Sequence, residues 1–322
     1  MAGRHIRDMI VAYGQRDDLK FRRAAQAIIS EEEAKRHHVL AKELRGLLAA
    51  NSGLGVHEHA AMPDPPVDRD SALPLAQVRL TDRSLDDLVL GPVARDALQQ
   101  LVSEVRRWSE LDAAGLPRRN RLLLSGPPGC GKTSAVSALA HELGRPLVSA
   151  RVEGLISSYL GETATNLNQL FAFASTGPYV LFLDEFDSLG KMRDDPADHG
   201  ELRRVVNAVL QQIDAYVGPS LIVAATNHSK VLDAALWRRF DAVVELDLPS
   251  PEQSAAVVRQ ILPAETFRLA EPHLGKLTGL PHAAAEYFAH AARRRAVLAG
   301  ARKVRVSDVK LAIKETVSRP WL

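Results

Sequence analysis

The chain contains one cysteine, Cys130, in 322 residues. That excludes an intramolecular disulfide and any zinc site built on several cysteines, and it fits a reducing compartment. No apolar run approaches the roughly 18 residues needed to cross a bilayer. The opening stretch, Met-Ala-Gly-Arg-His-Ile-Arg-Asp, has no apolar segment behind its charges, so no secretory signal is visible. Neither sign of charge is in excess, since 41 Lys and Arg against 39 Asp and Glu leave +2. The basic residues are scattered, whereas a protein that works on nucleic-acid phosphates concentrates them in a patch or stripe. No internal repeat is present. A hydrophobic fraction of 46% and a charged fraction of 25% are ordinary globular values and exclude a wholly disordered chain. The expectation is a soluble, cytoplasmic protein of two or two and a half folding units, with no membrane partner.

The first fifty residues carry apolar positions at helical spacing, from Phe21, Ala24, Ala25, Ile28 and Ile29 onward to Leu44, Leu47 and Leu48. A charged face lies between them, and Asn51-Ser52-Gly53 supplies a stop. Residues 1–52 therefore read as a helical region suited to binding a partner or substrate. Residues 53–79, with Met62-Pro63-Asp64-Pro65-Pro66 and few large apolar residues, read as a linker. From residue 80 to 249 short apolar runs alternate with helical patterns. The strands are Leu122 to Leu124, Pro146 to Val152, Tyr179 to Leu183, Leu221 to Ala225 and Ala242 to Leu246. Helices are expected from Thr133 to Leu143, Glu162 to Ala174 and Glu201 to Ala215. This alternation predicts an α/β fold with a parallel sheet between helices. After Pro249-Ser250-Pro251 the strands stop, and residues 250–322 read as a small helical domain.

Gly126-Pro127-Pro128-Gly129-Cys130-Gly131-Lys132-Thr133 fits the phosphate-loop pattern, with an apolar strand before it and a helix after it. Glycines let backbone N–H groups converge on phosphate, and the helix N-terminus adds its positive end. Lys132 would reach the β- and γ-phosphates and the Thr133 hydroxyl would bind Mg²⁺, with Ser134 beside it. Leu181-Phe182-Leu183-Asp184-Glu185 brings two carboxylates to the C-terminal end of a buried strand, where ligands of open α/β sheets bind. Asp184 is then a holder of the Mg²⁺ shell, and Glu185 orients or deprotonates the attacking water.

With these motifs, residues 80–313 resemble an AAA ATPase. Thr226-Asn227, Asp233, Ala235 and Arg238 follow that family's second region of homology. The resemblance implies that Asn227 holds the lytic water with Glu185, and that Arg238 and Arg239 are arginine fingers reaching a neighbouring subunit's γ-phosphate. The family usually separates its two arginines by a Pro-Gly-like pair, and here they are adjacent, which leaves open which one reaches the phosphate. Ile156-Ser157-Ser158-Tyr159-Leu160-Gly161-Glu162 resembles the pore loop of protein-remodelling members, where an aromatic such as Tyr159 and an aliphatic such as Leu160 grip an unfolded chain. A half-buried loop tyrosine is the plain alternative. Asp86-Asp87-Leu88-Val89-Leu90-Gly91 resembles the segment that lies against adenine, which implicates Asp87 and Gly91. Gly279-Leu280-Pro281-His282-Ala283 stands where the family has a small-residue motif near the nucleotide, without an arginine. Cys130 reads as a small residue tolerated in the loop.

The resemblance implies an ATP- and Mg²⁺-dependent ring, a hexamer, that threads or remodels a protein substrate or regulates a partner protease. Short N-terminal helices before a single AAA domain also resemble bacterial ATPases paired with a subtilisin-like serine protease. Two rivals use the same core: a nucleic-acid motor or loader, which needs a basic channel, and a nucleotide-gated scaffold with little turnover.

Overall fold

The structure, a computed structural model, describes residues 25, 27–29, 31, 64–68, 72–151, 160–187, 201–227 and 237–321. The chain divides into two units, Met1–Pro63 and Asp64–Leu322. In the first, the described residues are helical, and Ile29 is buried.

In the second unit three apolar runs become the centre of a sheet: β2 (Arg121–Ser125), β4 (Val180–Asp184) and β5 (Leu221–Thr226). They bury nearly every side chain on both faces, as parallel strands covered by helices must. With β1 (Gln77–Arg79), β3 (Leu147–Arg151) and β6 (Ala242–Glu245), the order across the sheet is β1-β3-β4-β5-β2-β6. All neighbours are parallel except β1, which runs antiparallel to β3 with Val78 opposite Val148.

The helices around the sheet are α1 (Pro92–Arg106), α2 (Trp108–Ala113), α3 (Lys132–Leu143), α4 (Leu160–Ser175) and α5 (Glu201–Ala215). One face of the sheet packs Leu123, Leu181 and Ile222 against α4 and α5 through Leu170, Phe171 and Ile213. The other packs Leu122, Leu124, Phe182 and Val223 against α1 and α3 through Leu98, Val105 and Leu139. This is the α/β sandwich expected from the alternation of elements. The sequence pattern did not single out α1, although Ala94, Leu98, Leu101, Val102 and Val105 form its buried stripe at helical spacing.

The second half of the expected linker is not free chain. Val67 bridges to Pro74, Leu75 and Ala76 are buried in the core of the α4–α5 face, and β1 joins the sheet. Burial of two apolar side chains and three ladder residues fixes it there.

After β6 the chain is helical: α6 (Pro251–Ile261), α7 (Ala264–Ala270), the 3₁₀ segment Glu271–Leu277, α8 (His282–Leu298) and α9 (Val306–Val317). Ser250 starts α6 with a capping box, its Oγ accepting the Gln253 N–H while Gln253 Oε1 accepts the Ser250 N–H. These helices share an apolar cluster around Val258, Phe267, Phe288, Ala292, Val309 and Ile313.

Candidate active site

Strand order places the chemistry. β4, β5 and β2 are adjacent and parallel, with Leu183 beside Ala224 and Ser125 beside Thr226. Their C-terminal ends lie at one edge of the sheet, each about 4.8 Å from the next. The phosphate loop leaves β2, Asp184 ends β4 with Glu185 after it, and Asn227 follows β5. Three sequence segments separated by some forty to sixty residues therefore meet across two strand spacings.

The loop has the shape of a phosphate cradle. Gly126, Gly129 and Gly131 have φ of +141°, +74° and +91°, backbone that a side chain resists. A Cβ on Gly126 would overlap the Leu246 carbonyl oxygen. Gly131 caps α3, whose first residue is Lys132, so the free N–H groups of that helix open toward the loop. Lys132 is buried, and its Nζ donates to the carbonyls of Gly126 (2.6 Å) and Pro127 (2.9 Å). Burial lowers the ammonium's pKa, against the opposing pull of the Cys130, Asp184 and Asp187 side chains. A trianionic phosphate group would offer Lys132 stronger, charge-assisted acceptors in place of two carbonyls. Pro127 and Pro128 form the bend of the loop, and Thr133 is exposed on the first turn of α3. Thr133 and Asp184 come from α3 and β4 at the same sheet edge, an alcohol and a carboxylate of the hard oxygen type that Mg²⁺ prefers. Ser134 faces elsewhere, since its Oγ accepts from Arg83 Nη1 at 2.9 Å.

Glu185 adopts a left-handed backbone, φ +56°, which is unusual for a residue with a side chain. It is held there from both sides. Its N–H donates to Asp184 Oδ1 (2.9 Å), and the next N–H, of Phe186, donates to the Ala225 carbonyl (2.8 Å). Asp187 was not singled out from the sequence. It is buried, and its Oδ1 accepts the Asn227 N–H at 3.2 Å, tying the turn after β4 to the end of β5. A third acidic residue in Asp-Glu-Phe-Asp was the available signal.

Arg238 and Arg239 differ. Arg239 Nε donates to Asp214 Oδ2 on α5 at 2.8 Å. Arg238 is exposed and has no hydrogen bond or ion pair among the described residues. Asp241 Oδ2 accepts the N–H groups of Asn120 and Arg121 at 3.1 Å, anchoring the segment to the start of β2. Tyr159 lies outside the described residues, as do Asp233 and Ala235; Leu160 begins α4, with its side chain outside them.

Beside the loop opens a cavity of about 860 Å³, within the range that holds a small-molecule ligand. Leu90, Gly91 and Ala94 at the start of α1, Leu246 after β6, Cys130 and His282 are among its walls. Asp87 is not. Its Oδ2 accepts the Ser84 N–H (2.8 Å) and Oγ–H (3.0 Å), which holds the 3₁₀ turn Leu85–Asp87 and keeps its pKa low. The start of α8 is pinned to the phosphate loop, the Ala283 N–H donating to the Gly129 carbonyl at 3.1 Å. Cys130 is buried, and burial raises its thiol pKa, so it is not a reactive thiolate.

Comparison with known proteins agrees with this geometry. The model of the ATPase family associated with various cellular activities (AAA) matches residues 122–248. A Sinorhizobium fredii protein named uncharacterized AAA family ATPase y4kL is 42% identical over 247 residues, 77% of this chain and 74% of that relative. The ATP-dependent zinc metalloprotease FtsH 3 of Sphaerobacter thermophilus is 31% identical over 235 residues, 70% of this chain but 48% of its own length. The chain thus spans about half of that longer relative. The crystal structure of the FIGL-1 AAA domain superposes with a TM-score of 0.62 at 23% identity, covering 83% of this chain and 94% of that one, a likeness of fold. Phosphate loop, acid-tipped strand and sheet order together have one explanation: the chain belongs to the AAA family of ATP-hydrolysing enzymes.

Proposed function

We propose that the chain hydrolyses ATP as a ring, a hexamer, and uses the cycle to thread or remodel a protein substrate. Mg²⁺ held by Thr133 and Asp184 would neutralise phosphate charge as it develops. Gly126 to Gly131 cradle the phosphates, Lys132 binds the β- and γ-oxygens, and Glu185 accepts a proton from water that Asn227 orients. Asp187 is a positioning residue, because it fixes the backbone of Asn227. Arg238 is the finger, and Arg239 is the strut that aims it. The observation that carries the ring is the asymmetry of this pair: Arg239 is spent on Asp214 in its own subunit, whereas the exposed Arg238 has no partner among the described residues. A cation left free at the end of an anchored segment is available to the charge next door.

The protein-substrate reading is supported by the Tyr159-Leu160-Gly161 sequence and by a relative whose name joins ATP dependence to proteolysis. A partner protease of the subtilisin-like class, engaged through residues 1–52, is the finer form of this proposal. The nucleic-acid alternative has less support, given a net charge of +2 without a basic stripe.

Two inactive variants test the ring. Glu185→Gln and Arg238→Ala should each bind ATP and fail to hydrolyse it. Mixed, they should recover part of the activity, because a Glu185→Gln subunit lends its arginine to a neighbour that retains Glu185. No recovery on mixing, with rings seen by sedimentation, would refute the trans assignment. ATP-loaded Glu185→Gln then serves as a trap, and a captured protein lost on adding Tyr159→Ala identifies the threaded substrate.

A further inference from the structure

His282, the first residue of α8, lines the cavity beside the phosphate loop, and neither of its ring nitrogens has a hydrogen-bond partner among the described residues. Both are buried from solvent. Buried polar atoms are almost always paired, so two orphans on one ring ask for an explanation. The cavity supplies one. Cys130, in the phosphate loop itself, is part of its wall, so a nucleotide with its phosphates in the loop must send its sugar and base this way. The walls also include aliphatic residues such as Leu90 and Leu248, and the polar side chains of Glu245, Asp247 and Ser250. The Gln253 carboxamide has its oxygen committed to the Ser250 N–H and its nitrogen turned toward Gly91.

Resting on the nucleotide reading above, we propose that His282 is the base-reading residue of this site, accepting a hydrogen bond from the exocyclic amine of adenine. Burial depresses the imidazole pKa, with the Val89 backbone and Glu286 opposing, so the ring is neutral at pH 7 and has one donor and one acceptor nitrogen. The Val89 carbonyl beside the ring favours the proton on its side, although the two do not make a bond of good geometry. The nitrogen left bare is an acceptor. An adenine amine satisfies it, whereas hypoxanthine or guanine would set a carbonyl oxygen against its lone pair.

ADP and IDP differ at the exocyclic group and at the N1 proton that accompanies the hypoxanthine carbonyl, and they are not hydrolysed, so calorimetric titration of the full chain and of the His282 variants with each isolates the part that His282 reads. The wild type should prefer ADP by about tenfold or more, the worth of one buried hydrogen bond. His282→Ala should bring the ratio to within about twofold, chiefly by weakening ADP. His282→Gln, whose amide oxygen can accept, should restore part of the preference. A wild-type ratio near one, or a preference unchanged in His282→Ala with its fold confirmed by circular dichroism, overturns the proposal and leaves the ATPase reading standing. Equal weakening of both nucleotides also overturns it, because that marks a packing role. Failure of the wild type to bind either nucleotide would defeat the nucleotide reading itself.

Discussion

Gly126 has no room for a methyl group. Its φ of +141° and the Leu246 carbonyl close behind it mean that alanine must shift either β6 or the loop. Gly126→Ala is expected to cost about 2 kcal/mol or more in urea melts and to abolish detectable ATP binding by titration. Glu185 makes the opposite case. A glutamate in the left-handed region stores about 1–3 kcal/mol of strain, tolerated because two backbone hydrogen bonds hold it there. Glu185→Gly should therefore leave stability unchanged or raise it by up to about 1 kcal/mol, although glycine elsewhere usually destabilises, while hydrolysis is lost. Activity assay and denaturation of the same variant decide it. At this scale the sequence was most legible where a motif fixes spacing: Gly126 to Thr133 and Asp184-Glu185 stand at one sheet edge. It was least legible where a role depends on what folds beside a residue. Nothing in the string Arg238-Arg239 says that Asp214, some twenty-five positions earlier, binds only the second arginine. Nothing in Pro281-His282-Ala283 says that the ring nitrogens are buried without a partner among the described residues.

Among the elements, the long apolar strands were legible because both their faces are covered, which writes continuous runs such as Val180 to Leu183 into the chain. β1 was not. Three residues, Gln77–Arg79, carry too little pattern to separate a short edge strand from a linker, and its place is decided by the β3 edge it completes. The burial of Leu75 just before it gives the assignment a test. Leu75→Ala should lower stability by about 2–3 kcal/mol, as for a packed core leucine, whereas a residue in a free linker would change it by less than about 0.5 kcal/mol. Thermal or urea unfolding of the two proteins side by side separates these outcomes. The helices after β6 were legible as a class, from the end of the strands at Pro249, but the grip of α8 on the phosphate loop through Ala283 and Gly129 is a tertiary fact.

For the whole molecule, the proposed ring would make each site complete only in an assembly, where a neighbour's Arg238 reaches it. Specific ATPase activity is accordingly expected to rise with protein concentration and to level off once rings are full. Arg238→Ala should stay flat and low over the same range, and a wild type of constant specific activity down to dilute monomer would contradict the ring. The parallel sheet and its helical follower were legible at this scale because alternation of elements is a global property of the sequence. The number of subunits is not, since it depends on the angle at which two surfaces meet.

β1 has a mechanical consequence. It is the first strand of the sheet to follow the N-terminal residues, and it is fastened to β3 by three residue pairs at the margin of the sheet. β3 in turn runs straight into residues 152–159, the stretch that ends in Tyr159. The antiparallel register sets Gln77, where the chain arrives from the N-terminal side, opposite Ser149, two residues from the end of β3 that continues toward Tyr159. If Tyr159 grips substrate as proposed, tether and hook share one end of β3, and tension on a captured protein would pass as shear between two neighbouring strands rather than as a pull along one.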